Sequence, residues 1–399
     1  MIRIILYFFI FLIIFFFVYI RLKYKFWAIQ PVFHFYDLYY WIKNVGIIST
    51  DLPKKNKFTN FQNIKTYISN SLTENQWKNI VAFIQLNYLR NKNNIFYPKL
   101  ENINNYFIGH NYQCYWSFYQ ISEMAHDSIK NNIVENNKII GIMSSRPLKC
   151  IINNINFDIN FDLYYVDYLC VDKRYRNKNI APQIIQTHEY NQSHFNKKIS
   201  VSLFKREEEL TGIIPLTCYD TYCYNVFDFT NLANRMSLNA EYNLLMCDKQ
   251  NIYYFYHFMK EYSYKWDIYI FPTISNLYNL IESKNIFIKM CIIDGEIVAA
   301  YIFKKTCTYL DKNKEVLSCI GSINGSYLNK TEFADIFNLA LVSLINDNEN
   351  IYFLSIENLS DNQILNNCAS DYLLKSPTAY FFYNFAHSPF KSNKCLIIN

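Results

Sequence analysis

The sequence predicts a mixed α/β fold, an α+β mixed sheet in two pseudo-symmetric halves, preceded by an N-terminal transmembrane helix. Three observations predict it. Residues 4–20 form a seventeen-residue run without a charge. Behind it, one succession of elements (hairpin, helix, strand, further strand) occurs twice. The 399 residues are 51% hydrophobic, enough to bury a large core, and only 18% charged.

The first element is an anchor. Arg3 precedes the apolar run, and Arg21, Lys23 and Lys25 follow it. The length is the lower edge of a spanning helix. No small-residue cleavage site follows; the chain continues as Arg21-Leu-Lys-Tyr-Lys-Phe-Trp27, which argues for a retained anchor over a cleaved signal. Basic residues on both sides make the positive-inside rule a weak guide, and it places the body in the cytosol. Eleven cysteines without a CxxC fit that reducing side, as mostly buried thiols. The sequons Asn191-Gln-Ser193 and Asn329-Lys-Thr331 are then incidental to an asparagine-rich composition.

In the first half, residues 138–143 and 164–171 read as strands, 181–190 as a helix with Pro182 in its first turn, and 199–204 as a returning strand. In the second, 286–293 and 297–303 flank Asp294-Gly295, a strong two-residue hairpin signal. A helix follows over 332–345 with Thr331 as its cap. Strands follow at 351–356 and, last, 379–385. The join falls near 232–245, giving an anchor (1–22), an N-terminal half (23–235) and a C-terminal half (236–399).

Composition excludes several chemistries. Only 7 glycines are present and none stand at G-x-G spacing, which removes the dinucleotide fingerprint and the P-loop. Gly321-Ser-Ile-Asn-Gly325 has Ile323 where a nucleophile elbow needs serine. A net charge of +6 is too mild to imply nucleic acid. The closest cysteines, Cys218 and Cys223, have no histidine beside them, so no metal site is expected.

One loop carries chemistry. Lys173, Arg174, Arg176 and Lys178 lie between a strand and a helix start, where unpaired amides and the positive end of the dipole favour phosphate. Taken alone, such a loop serves equally as a solvated surface. The spacing Arg176-x-x-Asn179-x-Ala181 approximates the coenzyme A loop of the acetyltransferase (GNAT) superfamily.

Further blocks resemble the eukaryotic N-myristoyltransferases. The family's N-F-L-C-V-H-K-x-L-R-S-K-R-x-A-P is similar to the ungapped run from Asp167 to Pro182. Its Y-x-F-W-x-T-Q-P-V resembles Tyr24-Lys25-Phe26-Trp27-Ala28-Ile29-Gln30-Pro31-Val32. Its N-Y-V-E-D-D-D-N-x-F loop resembles the stretch from Asn87 to Phe96, and its Y-Y-L-Y-N-W resembles Tyr380 to Phe385. The resemblance implies a co-substrate, myristoyl-coenzyme A, and no permanently bound cofactor. It implies that coenzyme A is held by Tyr24, Lys25, Phe26 and Trp27, by Leu169, Cys170 and Val171, and by Arg176, Asn177, Lys178, Asn179, Ile180, Ala181 and Pro182. It implies an oxyanion hole from the backbone amides of Tyr168 and Leu169, and a general base in the C-terminal carboxylate, here of Asn399. Tyr88, Phe96, Thr217 and Tyr222 would face the peptide. The apolar tail Cys395-Leu-Ile-Ile-Asn399 suits burial of that carboxylate.

Departures bear on substrate. The family's acidic loop is here Arg90-Asn91-Lys92-Asn93, its G-D-G-N turn is Leu374-Lys375-Ser376-Pro377, and the histidine of T-C-x-Y-x-H-R-S is replaced by Tyr222. The expectation is a monomeric enzyme on a membrane that acylates the glycine amine of protein N-termini neutral or acidic after the glycine. The alternative is a homologue without catalysis that binds coenzyme A or peptide there.

Overall fold

The computed structural model describes residues 2–42, 45–88, 94–127, 132–153, 158–207, 212–233, 242–310, 314–325, 328–348, 350–369 and 371–399. The basic counterpart of the acidic loop, 90–93, and most of the expected join, 234–241, lie outside them. Seventeen strands occur among the described residues. They are β1 (Gly46–Ile47), β2 (Ile64–Ile68), β3 (Asn94–Phe96), β4 (Tyr115–Asp127), β5 (Asn132–Ile152), β6 (Ile159–Val171), β7 (Ser202–Glu207), β8 (Thr217–Asn225), β9 (Asn243–Met246) and β10 (Ile268–Phe271). The rest are β11 (Ile286–Ile293), β12 (Glu296–Leu310), β13 (Lys314–Asn324), β14 (Ile351–Glu357), β15 (Leu374–Tyr383), β16 (Phe385–Ala386) and β17 (Cys395–Ile397).

One mixed sheet runs β17-β10-β5-β6-β7-β15-β8-β14-β13-β12-β11-β9, with β2 and β4 attached at β5 and β3 at β12. It is symmetric about the β15–β8 pair. On one side β5 and β6 are antiparallel, the helix Ile180–Phe195 crosses over, and β7 returns parallel to β6. On the other β12 and β13 are antiparallel, the helix Lys330–Asn346 crosses over, and β14 returns parallel to β13. Each unit is completed by a strand from the other: β15 lies on β7, β8 lies on β14, and the two exchanged strands pair with each other.

Local chemistry explains several elements. Asp294 and Gly295 both have positive φ, 51° and 84°, as the β11–β12 turn requires. The cap of the helix Lys330–Asn346 is Asn329, not Thr331: its side chain accepts from the amides of Thr331 and Glu332, while Glu332 accepts from its backbone. That capping box outcompetes threonine one turn position too late. The strand expected at 199–204 is displaced to Ser202–Glu207. The strand expected last ends at Tyr383, where Asn384 turns with φ 64°, and the tail adds β17, parallel to β10. Glycine matters at two close approaches. A Cβ on Gly141 would meet Ile184 Cδ1 at 2.5 Å, so glycine lets the helix Ile180–Phe195 rest on β5. A Cβ on Gly321 would meet Leu396 Cδ1 at 2.9 Å, so glycine admits the tail.

The helix Ile2–Lys23 stands out from this body, exposed from Ile4 to Tyr19, and is long and apolar enough to cross a membrane.

The helix Ile180–Phe195 carries a buried acid. Glu189 accepts from Ser193 Oγ (3.0 Å), Ser202 Oγ (3.2 Å) and Gln192 Nε2 (3.3 Å), and burial pushes its carboxyl up to about 7. The folded state therefore binds more protons than the unfolded chain between its ordinary value and about 7, and the stability this contributes is lost as pH rises through that window. Glu189→Gln should flatten the difference in unfolding midpoint between about pH 5 and about pH 8. An unchanged pH slope would show that the carboxyl stays ionised in the core.

Candidate functional site

Strands β6 and β7 pair only at Tyr164–Ser202 and Tyr165–Leu203, although β6 runs on to Val171 and β7 to Glu207. The strands part beyond that point and open a gap in the sheet. On the β6 wall the register with β5 shifts, so that Tyr168 and Leu169 stand opposite Met143 alone. Tyr168 takes φ 49°, a conformation a tyrosine adopts only when its surroundings enforce it. Here Trp116 stacks on its ring at 5.8 Å, and Tyr88, Phe96 and Phe107 surround it. The bulge sends Asp167 and Tyr168 to one face of the sheet and leaves the partly exposed Leu169 toward the other.

The face of Leu169, the first, carries the basic loop and the aromatic segment; the face of Asp167 is the second. Trp27 stacks on Phe204 (5.7 Å), which stacks on Phe381 (5.3 Å). Phe26 is buried against Phe58 and Trp27, which leaves half-buried Trp27 as the accessible ring; Lys25 is exposed and Tyr24 partly so. Buried Gln30 ties this segment down, donating to Gln186 Oε1 (3.0 Å) and accepting from Tyr383 (2.7 Å). In the loop, Arg174 turns back onto Asp172 (2.6 Å) and holds its carboxyl below the usual range. Arg176 donates to the Asn87 and Val171 carbonyls (3.0 and 3.3 Å), and Lys178 lies 5.1 Å above the Tyr175 ring. Asn177 and Asn179 have φ 63° and 57°, the left-handed backbone asparagine tolerates. Asn179 caps the helix Ile180–Phe195 without a side-chain bond, and Pro182 has no N–H. The amides of Ile180 and Ala181 thus open a helix N-terminus with no side-chain cap, suited to an anion. Cys170 is buried, its thiol pushed up to about 12, so it is inert there.

Phe204 and Lys205 are consecutive on β7 and face opposite ways, so Lys205 lies on the second face. The register places Lys205, Tyr380 and Thr217 in one rank across β7, β15 and β8. Glu357 binds Lys205 Nζ (2.9 Å) and accepts from Tyr219 Oη (2.6 Å). Asn399 is 4% exposed, with Ile398 bonded to the Ile270 carbonyl (2.8 Å). Its Nδ2 donates to Tyr380 Oη (2.9 Å) and its Oδ1 accepts from Lys304 Nζ (3.2 Å). Burial pushes the Lys304 ammonium down to about 8 against the pull of Asp167. Arg146 is fully buried between the Tyr106 and Tyr165 rings (5.1 and 5.0 Å), its nearest carboxylate is Asp167 at 3.7 Å, and none of its nitrogens makes a hydrogen bond.

The structure therefore gathers Tyr168, Tyr88 and Phe96 at the gap; on the second face Asn399 lies between Tyr380 and Lys304, the lysine drawn by Asp167 of the gap's wall, with Thr217 beside Cys395 of the tail. Tyr222 is set apart. It lies five residues along β8 from Thr217, about 17 Å, packed on Tyr372 and under Lys375. Lys375 pairs with Asp220 (3.0 Å). Arg146, Asp167, Lys205, Lys304 and Glu357 are not among the residues expected from the sequence. Only Glu357 carried a sequence signal, as the single charged residue of the apolar strand Ile351–Glu357; the other four share their strands with further charged residues, and burial alone distinguishes them. Among the described residues no cluster is placed to hold a metal.

No family model and no curated protein matches the sequence. Solved structures match its fold. N-myristoyltransferase of Saccharomyces cerevisiae with bound myristoyl-CoA aligns at a TM-score of 0.68 and 13% identity, over 92% of this chain and 94% of that one. The yeast enzyme with myristoyl-CoA and inhibitors aligns at 0.70 and 13%, over 92% and 91%. A tandem GNAT protein from the clavulanic acid biosynthesis pathway aligns at 0.53 and 8%, over 82% of this chain and 100% of that one. The chain has the N-myristoyltransferase fold.

Proposed function

We propose that the protein is a membrane-anchored acyltransferase that moves a fatty acyl group, myristoyl, from coenzyme A to the N-terminal glycine amine of a protein. One observation carries this: the gap between β6 and β7 joins a face suited to a nucleotide thioester to a face where the chain's terminal residue is buried. On the first face, the Ile180 and Ala181 amides with Arg176, Asn177, Lys178, Asn179 and Pro182 receive the pyrophosphate, and Trp27, flanked by Tyr24, Lys25 and Phe26, the adenine end. Leu169, Cys170 and Val171 line the pantetheine path. The acyl carbonyl then lies at the bulge, where the Tyr168 and Leu169 amides stabilise its developing negative charge.

On the second face the glycine ammonium gives a proton to the Asn399 carboxylate. The freed amine attacks the thioester carbon, the C–S bond breaks, and coenzyme A leaves as a thiolate that takes up the second proton, given up by the nitrogen as it becomes the amide. Arg146, Lys205 and Lys304 face Asp167 and Glu357 in this interior, and a terminal carboxylate balances the excess cation. Tyr88, Phe96 and Thr217 border the acceptor path, with Tyr222 further along it. The N-terminal half, 23–235, binds acyl-coenzyme A and carries these four residues, the C-terminal half, 236–399, contributes to the peptide groove and supplies the terminal carboxylate, and one copy suffices.

The three cations also favour a second reading, acyl-coenzyme A binding without transfer, because each opposes an incoming ammonium. The exchange of acid for base at Arg90, Lys92 and Lys375 predicts peptide choice. A glycine-starting peptide with glutamates should be acylated about tenfold more efficiently in kcat/KM than its lysine counterpart, ~1.4 kcal/mol. A lysine preference contradicts the charge assignment. Absence of transfer to either peptide while acyl-coenzyme A binds contradicts the enzyme reading.

A further inference from the structure

We propose that residues 35–42 form a second membrane contact, set into the headgroup boundary of the bilayer that the helix Ile2–Lys23 spans. The inference rests on the membrane-anchored reading. After leaving the helix and passing Gln30, the chain turns back alongside it: Phe35 meets Phe16 edge-on at 6.1 Å and Tyr36 meets Phe17 at 5.8 Å. At 1.5 Å per residue, Phe16 lies about 7 Å inside Arg21 along the helix axis. Phe35 and Tyr36 therefore stand at a level within the uncharged run, on the membrane side of Arg21 and Lys23. A spanning helix cannot be placed in a bilayer without immersing them.

The composition and exposure of the segment agree with that depth. Leu38 is 69%, Trp41 45% and Ile42 78% exposed, with Phe35 and Tyr39 exposed beside them. Apolar residues this dense on a surface mark a contact, and tryptophan and tyrosine favour the headgroup level. The segment is also fixed to the body. The Phe33 carbonyl accepts from Ile214 (2.7 Å), Phe35 donates to Gly212 (3.2 Å), and Trp41 Nε1 donates to the Phe35 carbonyl (3.1 Å). Val32 and Ile213 pack with Phe381, beneath the stack that carries Trp27. Two attachments hold the body in one orientation, with its Trp27 face beside the lipid. An acyl-coenzyme A partitioned into that surface meets the gap without crossing bulk water.

The test uses the full chain in phosphatidylcholine vesicles containing a lipid brominated near the headgroup end of its acyl chains. Of the five tryptophans, Trp77, Trp116 and Trp266 are buried and Trp27 is half-buried, so Trp41 should supply the larger part of the bromine-quenchable emission. Trp41→Phe should remove that part, and Ile42→Trp in the Trp41→Phe chain should restore it. Equal quenching of wild type and Trp41→Phe, with the protein still resistant to alkaline extraction, overturns the contact and leaves the anchor standing. Release by alkaline extraction overturns the anchor and the contact together.

Discussion

Adding one or two residues after Asn399 will abolish acyl transfer and leave acyl-coenzyme A binding intact. The tail is built into the sheet: β17 pairs with β10, and residues 395–398 are fully buried. Leu396 occupies the room left by Gly321, and Asn399 is held from both sides by Tyr380 and Lys304. An extension removes the carboxylate from the end of that path and replaces it with an amide that cannot take a proton. Loss of a positioned general base costs about 10²–10⁴ in rate. The nucleotide face lies across the sheet, and its affinity should not change. Undiminished turnover in an extended chain, measured beside acyl-coenzyme A titration, would place the base elsewhere, and Asp167 would be the group to examine.

Glu357→Ala should be the most destabilising single change in the acceptor interior. Its carboxylate binds both Lys205 and Tyr219 from β14, and its removal strands an ammonium between strands. Breaking one side of a buried pair costs about 3–5 kcal/mol. Lys205 keeps some exposure, so the lower end applies. Lys205→Met added to Glu357→Ala should recover part of that loss, since no unpaired charge then remains. Denaturant unfolding of the two variants decides it. If the double variant is less stable than the single one, Lys205 contributes packing and not an uncompensated charge.

The contrast between these sites and the loop after β6 shows what a sequence displays. Asp294-Gly295 and the helix over Ile180–Phe195 were legible because backbone conformation and capping are set within a few residues. Asn179 was legible through the short spacing Arg176-x-x-Asn179-x-Ala181, and its left-handed backbone came with the structure. The exchange of β8 and β15 was not, because it depends on pairings between strands far apart in the chain, and either strand reads equally well beside its own half. The bulge at Tyr168 was hidden because an aromatic residue there signals strand; packing by Trp116 and Phe107 forces it out of that conformation. Thr331 resembles a cap as well as Asn329 does, and the choice lies in which side chain Glu332 can reciprocate. Resemblance supplied Asn399 and the oxyanion amides, yet it passed over Arg146, Lys205 and Lys304, whose meaning depends on what surrounds them in the folded interior.

The most direct measurement reconstitutes the full chain in vesicles with labelled myristoyl-coenzyme A and glycine-starting peptides, and follows the label and free coenzyme A together. The account predicts label in a hydroxylamine-resistant amide at the peptide's N-terminal amine, with one coenzyme A released per acyl group. Saturable acyl-coenzyme A binding with no label in any peptide would contradict it.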